Sequence, residues 1–103
     1  MAVTGGNLVL TAKAESYGTS SFTSGKVHTR DKYSVRYGRI EMRAKLPFGD
    51  GLWPAFWMMP QDDVYGGWAA SGEIDIMEYL GHDTDHASGA IHYGGSWPDN
   101  TYW

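Results

Sequence analysis

The chain has 103 residues, with eight Lys and Arg against twelve Asp and Glu, so its formal net charge is −4. This balance argues against nucleic acid and anionic membrane surfaces as partners, because both are usually bound through an excess of Lys and Arg. The sequence has no cysteine, which excludes a disulfide scaffold and a cysteine-based zinc site. It also lacks the run of about 18 apolar residues that a membrane-spanning helix needs.

Hydrophobic residues recur with a period of two along most of the chain, which predicts short strands. The clearest alternation is at 37–46, where Ile40, Met42 and Ala44 are separated by charged residues. Segment 53–59 is apolar almost throughout, so we expect a strand buried on both faces. The predicted strands are 7–14, 21–30, 37–46, 53–59, 73–79 and 88–93. Six short strands without a helical period predict an all-β fold, an antiparallel sandwich or barrel.

The most informative segment is the acidic strand GEIDIMEY at 72–79. Alternation places Glu73 and Asp75 on one face but would turn Glu78 to the other. A β-bulge around Ile76 and Met77 would return Glu78 to the side of the first two carboxylates, and bulges are frequent beside active sites.

Three carboxylates on one strand face raise each other's pKa, so they are costly to collect for structural reasons alone. Their most productive use is paired-carboxylate chemistry, with one nucleophile and one proton donor. Two other interpretations stay open on spacing alone: a solvated acidic face and a calcium site. Calcium prefers six to eight oxygen ligands from flexible loops, and a strand interleaved with isoleucine supplies these poorly.

The segment SGEIDIME at 71–78 resembles the signature of glycoside hydrolase family 16, and its extra residue, Met77, is typical of the laminarinase branch. Segments 37–47, 51–58 and 91–95 are also similar to laminarinase segments. The resemblance implies a concanavalin-like jelly roll, an antiparallel β-sandwich. Such sandwiches usually need 200 to 250 residues. We therefore expect residues 1–103 to be the N-terminal part of one catalytic domain, truncated at its C-terminus.

The resemblance also implies an endo-acting β-glucan hydrolase that retains anomeric configuration. Carried over by motif position, Glu73 is the nucleophile, Asp75 the assisting carboxylate and Glu78 the general acid/base. No redox or metal cofactor is implied for the reaction, although the complete domain is compatible with a structural calcium ion. The expected substrate is β-1,3-glucan, and mixed-linkage glucan, agar and carrageenan are alternatives. A glucan-binding module without turnover is an alternative from another class.

Flat aromatic rings pack against the apolar faces of sugars, so the tryptophans near the acidic strand are candidate substrate ligands. Trp68, five residues before Glu73, is the strongest candidate. Trp53 and Trp57 share one face of their predicted strand, and core packing is the competing interpretation for both. His92 is most simply a structural strand histidine. The resemblance instead implies that it faces the cleft, near Asp75 or the sugar.

The remaining expectations concern partners and location. The sandwich needs further strands, so we expect a complementing chain or a second copy of this one, together with the polysaccharide substrate. No nucleic acid or membrane partner is expected. The histidines and carboxylates of 82–86 could suggest a metal, but no helix holds them in register, and a loop is the expected structure. Storage and wall glucans lie outside most cells that digest them, so the protein is expected to be secreted, although Met1-Ala2-Val3 does not begin a signal peptide.

Overall fold

The computed structural model describes residues 1–103, and its regular structure is entirely antiparallel β. This confirms the all-β prediction. The protein has no helix of the length and hydrophobicity that a membrane crossing requires. The eight strands are β1 (Ala2–Thr4), β2 (Asn7–Val9), β3 (Lys13–Tyr17), β4 (Ser20–Thr23), β5 (Ala55–Met58), β6 (Glu73–Glu78), β7 (Ser88–Tyr93) and β8 (Thr101–Tyr102).

The first of two structural units, Met1–Tyr33, consists of two hairpins, β1–β2 and β3–β4. The strand predicted at 7–14 is divided between β2 and β3, with an unpaired stretch between them. The strand predicted at 21–30 ends early, at Thr23. Its partner strand begins at Lys13, which lies opposite Thr23, so the ladder stops there.

The second unit, Ser34–Trp103, contains one sheet in the order β5-β6-β7-β8. Each strand pairs with its neighbour in sequence, so the sheet is a meander. The predicted strand at 37–46 is wrong for this structure, because those residues form no ladder. Their alternation describes a strand with one apolar face, but a strand also needs a neighbour for its backbone hydrogen bonds, and the structure gives this segment none.

The bulge predicted in the acidic strand is present. On one side of β6, Phe56 pairs with Met77 and the next residue, Trp57, pairs with Asp75, so β6 contains one extra residue. On the other side, Asp75 pairs with Ala90, and Glu78 pairs with Ser88. Both neighbouring strands therefore register the same insertion, between Asp75 and Glu78, and the bulge is confirmed.

The two faces of this sheet differ in chemistry. Residues directly opposite one another on neighbouring strands share a face, so Met58, Ile74 and Ile91 form an apolar row. That row is uncovered, since Ile74 and Ile91 are 47% and 48% exposed. The strand predicted at 53–59 is accordingly not buried on both faces. β5 is a sheet edge, and its residues are exposed or half-buried.

Burial is greatest on the opposite face. Among the ionisable residues only Asp75 is buried, with 6% of its surface exposed, and Ala69 is the one buried hydrophobic residue. The packing of the second unit is therefore concentrated around the carboxylates of β6.

Candidate active site

Glu73, Asp75 and Glu78 lie on one face of β6, which we call the cleft face. Glu73 is opposite His92, and Glu78 is opposite Ala55 and Ser88. The bulge is what allows the third carboxylate to share this face, because strict alternation would turn its side chain toward the apolar row. Three acidic groups that the sequence spreads over six residues are thus gathered on one surface.

Asp75 is the central and most buried member of this group. His92 Nε2 lies 3.3 Å from its Oδ2 atom. Burial, then the negative charges of Glu73 and Glu78, raise the pKa of Asp75 above its ordinary value, and His92 opposes this rise. A hydrogen bond with Glu73 raises the pKa further, since it favours the protonated Asp75 that can donate it. The folded protein therefore raises the proton affinity of the Asp75 carboxyl, which lies next to Glu73 in the motif.

Glu73 accepts a hydrogen bond at Oε2 from the indole N–H of Trp68. Trp68 lies in a loop closed by two turn hydrogen bonds, in which Ala70 donates to the carbonyl of Gly67 and Gly72 to that of Ala69. The buried Ala69 follows Trp68 directly and anchors the loop. Trp68, predicted as a site residue from its position five residues before Glu73, thus contacts Glu73 directly.

Glu78 has its own indole donor, because Trp53 Nε1 lies 3.1 Å from Glu78 Oε1. The segment before Trp53 is held against the segment after β6 by backbone hydrogen bonds. The backbone N–H of Gly49 donates to the carbonyl of Gly81, and that of Gly81 donates to the carbonyl of Leu52; both N···O distances are 2.8 Å. A Cβ on Gly81 would lie only 2.4 Å from the backbone oxygen of Gly49, so this contact requires glycine. Trp53 is therefore a residue of the cleft, and 65% of its surface is exposed.

Trp57 pairs with Asp75 across the β5–β6 ladder and so shares its face. It is half-buried on the cleft side, away from the apolar row that a core tryptophan would join. His92 lies between two rings: its centroid is 5.4 Å from that of Trp68 and 5.9 Å from that of Tyr102. Its Nδ1 atom is buried and has no hydrogen-bond partner. All seven site residues predicted from the sequence thus belong to the cleft face or its border.

An open groove of about 400 Å³ runs along β7 on this face, with Glu78 in its lining. Its lining includes Trp53, Glu78 and His92 of the predicted site. It also includes residues outside that prediction, namely Ser88, Gly89, Ala90, Tyr102 and Trp103. Tyr102 and Trp103 had a signal in the sequence, since an aromatic pair follows the turn-rich segment 94–100. Trp97, on that turn, also contacts the site, with its ring centroid 6.3 Å from that of Trp68.

The loop at 82–86 does not assemble a metal site. His86 Nδ1 lies 2.9 Å from Asp83 Oδ1, and this hydrogen bond lowers the pKa of Asp83. No group of three or more His, Asp or Glu side chains in residues 1–103 has the arrangement of a metal centre. The carboxylates of the cleft face are thus organised by indole, imidazole and neighbouring carboxyl groups.

The chain is similar to known proteins of one family. The family model for glycosyl hydrolases family 16 matches residues 1–101. Glucan endo-1,3-beta-glucosidase A1 of Niallia circulans is 59% identical over 79% of this chain and 12% of its own length. Glucan endo-1,3-beta-glucosidase of Cryptopygus antarcticus is 47% identical over 92% of this chain and 36% of its own length.

A third relative, the beta-1,3-glucan-binding protein of Penaeus monodon, is 45% identical over 78% of this chain and 24% of its own length. The chain thus spans between 12% and 36% of the length of these three relatives. The family match extends over nearly the whole chain, and the fold class is the antiparallel jelly-roll β-sandwich expected from the sequence. The chain belongs to glycosyl hydrolase family 16.

Proposed function

We propose that the protein hydrolyses β-glucan internally, with retention of anomeric configuration, and that β-1,3-glucan is its substrate. The observation that carries this proposal is the bulge in β6, which brings Glu73, Asp75 and Glu78 to one face. Two carboxylates on a common face, one as nucleophile and one as general acid/base, are what a double-displacement glycosidase needs. The relatives named as glucan endo-1,3-beta-glucosidases support the linkage.

In the first step a carboxylate oxygen of Glu73 forms a bond to the anomeric carbon. The glycosidic carbon–oxygen bond breaks, and the leaving oxygen takes the proton of Glu78. In the second step water attacks the same carbon and gives its proton to Glu78, while the bond to Glu73 breaks. Two inversions at one carbon give net retention, and both carboxyl groups return to their starting states.

Asp75 and the indoles would set the charge of the reacting groups. A protonated Asp75 donates a hydrogen bond to Glu73, which orients the nucleophile and stabilises its negative charge as the glycosyl-enzyme bond breaks. Trp68 donates to the same carboxylate, and Trp53 donates to Glu78. The proposed substrate contacts are Trp68, Trp53, Trp57 and His92, whose rings line or border the cleft face.

A second candidate function is glucan binding without turnover. The similarity to a protein named as a beta-1,3-glucan-binding protein favours it. The acidic strand favours hydrolysis over binding alone, since a binding site for a neutral polysaccharide does not need both Glu73 and Glu78. Mixed-linkage glucan, agar and carrageenan are the alternative substrates.

We also propose that the chain is the N-terminal part of one catalytic domain, with further strands covering the apolar row of Met58, Ile74 and Ile91. These strands would come from a complementing chain or from a second copy of this one. Burying such a row is the main favourable term in sheet packing. Because its polysaccharide substrate lies outside cells, the protein is proposed to act extracellularly.

The decisive experiment measures reducing sugar and anomeric configuration with laminarin and lichenan as substrates, with and without a complementing C-terminal segment, since we expect activity to need the missing strands. We expect release from laminarin with initial β-configuration, and a loss of orders of magnitude in the Glu73→Gln and Glu78→Gln variants. Glu41→Gln is a matched control, since this exposed glutamate lies outside β6. Near-wild-type hydrolysis by either β6 variant would refute the assignment, and glucan binding without product would favour the second candidate.

A further inference from the structure

Four rings form a continuous row on the cleft face. In order they are Tyr102, His92, Trp68 and Trp97, with successive centroid separations of 5.9, 5.4 and 6.3 Å. The planes of neighbouring rings are tilted by 32° to 45°. The row therefore offers successive flat surfaces rather than one stacked column.

The inner and outer rings of this row differ in their polar contacts. His92 lies against Asp75, and Trp68 donates its indole N–H to Glu73, so both inner rings are tied to the carboxylates. Trp97 and Tyr102 are the outer rings, and they are 72% and 73% exposed. A large exposed ring at the end of a row of site residues marks a binding surface more readily than a core.

Trp97 is held in place although it is exposed. Its backbone N–H donates to the carbonyl of Trp68 at an N···O distance of 3.2 Å, and this bond joins the β7–β8 turn to the Trp68 loop. In the same turn the backbone N–H of Asp99 donates to the carbonyl of Ser96 at an N···O distance of 2.9 Å. A turn whose backbone is fixed in this way loses little backbone freedom on binding, which is one part of a preorganised contact.

We propose that Trp97 forms a second sugar platform, which binds the glucosyl residue next to the one held at Trp68, on the Glu73 side of the cleft. This inference rests on the proposed function and extends it, because it makes Trp97 a determinant of chain-length preference. The ligand is one further unit of a neutral β-linked glucan, whose C–H face packs on the indole.

The experiment compares kcat/KM for laminari-oligosaccharides of increasing length in the wild type, Trp97→Ala and Trp97→Phe. We expect Trp97→Ala to match the wild type on the shortest substrate that is cleaved. On longer substrates it should lose roughly three- to tenfold, mainly through KM. Trp97→Phe should recover part of that loss. Tyr17→Ala, which removes an exposed aromatic residue from the β3–β4 hairpin, is the matched control.

An equal loss on every length would overturn the platform, since it would mean that Trp97 only supports the Trp68 loop. No loss on any length would also overturn it. The same series is titrated calorimetrically against the Glu73→Gln variant with and without Trp97→Ala. If no hydrolysis occurs but the length-dependent gain in binding disappears with Trp97, the hydrolase assignment fails and the platform stands.

Discussion

Gly89 faces the backbone of Asp75 so closely that a Cβ on Gly89 would lie 2.9 Å from the Asp75 carbonyl oxygen. Gly89 lies between Ala90, the partner of Asp75, and Ser88, the partner of Glu78. It therefore lies across from the extra residue of β6. The absence of a side chain here leaves room for the bulged backbone, whose carbonyl cannot move away as a flexible side chain would.

The first prediction follows from this contact. Gly89→Ala should destabilise the protein by about 1–3 kcal/mol, the usual cost of overpacking. It should also lower laminarin hydrolysis more than tenfold, because displacing the bulge re-aims Glu78. Thermal unfolding and initial rates measure the two effects. Gly25→Ala is the control, since its Cβ would have ordinary contacts, the nearest at 3.4 Å from a Leu10 side-chain carbon. Rates within twofold of wild type for Gly89→Ala would contradict the prediction.

The second prediction separates the roles of Glu73 and Glu78. A general acid matters less when the leaving group needs no proton, whereas a nucleophile is always required. Glu78→Gln should therefore lose at least about a hundredfold on laminarin. On a dinitrophenyl β-laminaribioside its first turnover should release the phenol at a rate within roughly tenfold of wild type. Later turnovers should be slower, because Glu78 is also the base of the second step. Glu73→Gln should be inactive on both substrates. The reverse pattern in stopped-flow absorbance would show that the two roles are exchanged.

The third prediction concerns stability and pH. Folding raises the pKa of Asp75 above its ordinary value of 3.8. Between pH 3.8 and the raised pKa, the folded state therefore keeps a proton that the unfolded state has released. Stability from this group is therefore complete below pH 3.8 and is lost as the pH rises through the raised pKa. Asp75→Asn, which has no such proton, should show a smaller decline of melting temperature over this interval. Parallel curves for the two proteins would disprove it.

Asp83 provides a control of the opposite sign. The hydrogen bond from His86 lowers its pKa, so its contribution is present above pH 3.8 and is lost as the pH falls through the lowered value. Asp83→Asn should therefore leave intact the decline in stability with rising pH that is assigned to Asp75.

The fourth prediction tests the contact between Trp53 and Glu78. Trp53→Phe keeps a ring but removes the 3.1 Å hydrogen bond. Its kcat should fall by about fivefold with little change in KM, because the indole stabilises the negative charge that Glu78 gains on giving up its proton, and such a hydrogen bond contributes modestly at an exposed site. Trp53→Ala removes the ring as well and should also raise KM. Equal KM values for the two variants in steady-state kinetics would argue against a substrate contact at this ring.

The fifth prediction addresses the uncovered row. The 103-residue chain, with Ile74 and Ile91 about half exposed, should associate in solution, because exposed apolar strands recruit partners. Light scattering should give a mass above the 11.4 kDa of one chain. The double variant Ile74→Thr, Ile91→Thr keeps β-branched side chains and should shift the mass toward that of the monomer. A monomeric wild-type chain with a cooperative melt would contradict the half-domain proposal.

The sequence predicted the β6 bulge because its signal is local: a carboxylate at the wrong parity within one strand. The strands β6 and β7 were also predictable, since turn residues bound both alternating runs. The segment 37–46 has the cleanest alternation of all and forms no ladder. Periodicity describes the two faces of a strand, but it does not supply the neighbouring backbone to which the strand must bond.

Site residues were predictable where they belonged to the acidic motif or lay close to it in sequence, as Trp68 does. Tyr102 was missed because its contact with His92 depends on the return of the chain through a turn. Gly89 carries no chemical group at all, so only the 2.9 Å approach to Asp75 reveals its importance. Long-range proximity of this kind depends on the sheet order.

The bulge in β6 also has a consequence for the lengths that this strand can adopt. An insertion inside a strand ordinarily reverses the facing of every later residue, and here the later strand residues are Met77, which still pairs with Phe56, and Glu78. Deleting Met77 together with the bulge would leave a glutamate four residues after Glu73, where plain alternation again directs it into the cleft. Homologous strands one residue shorter can therefore carry the same three carboxylates, provided that the bulge and the extra residue are lost together.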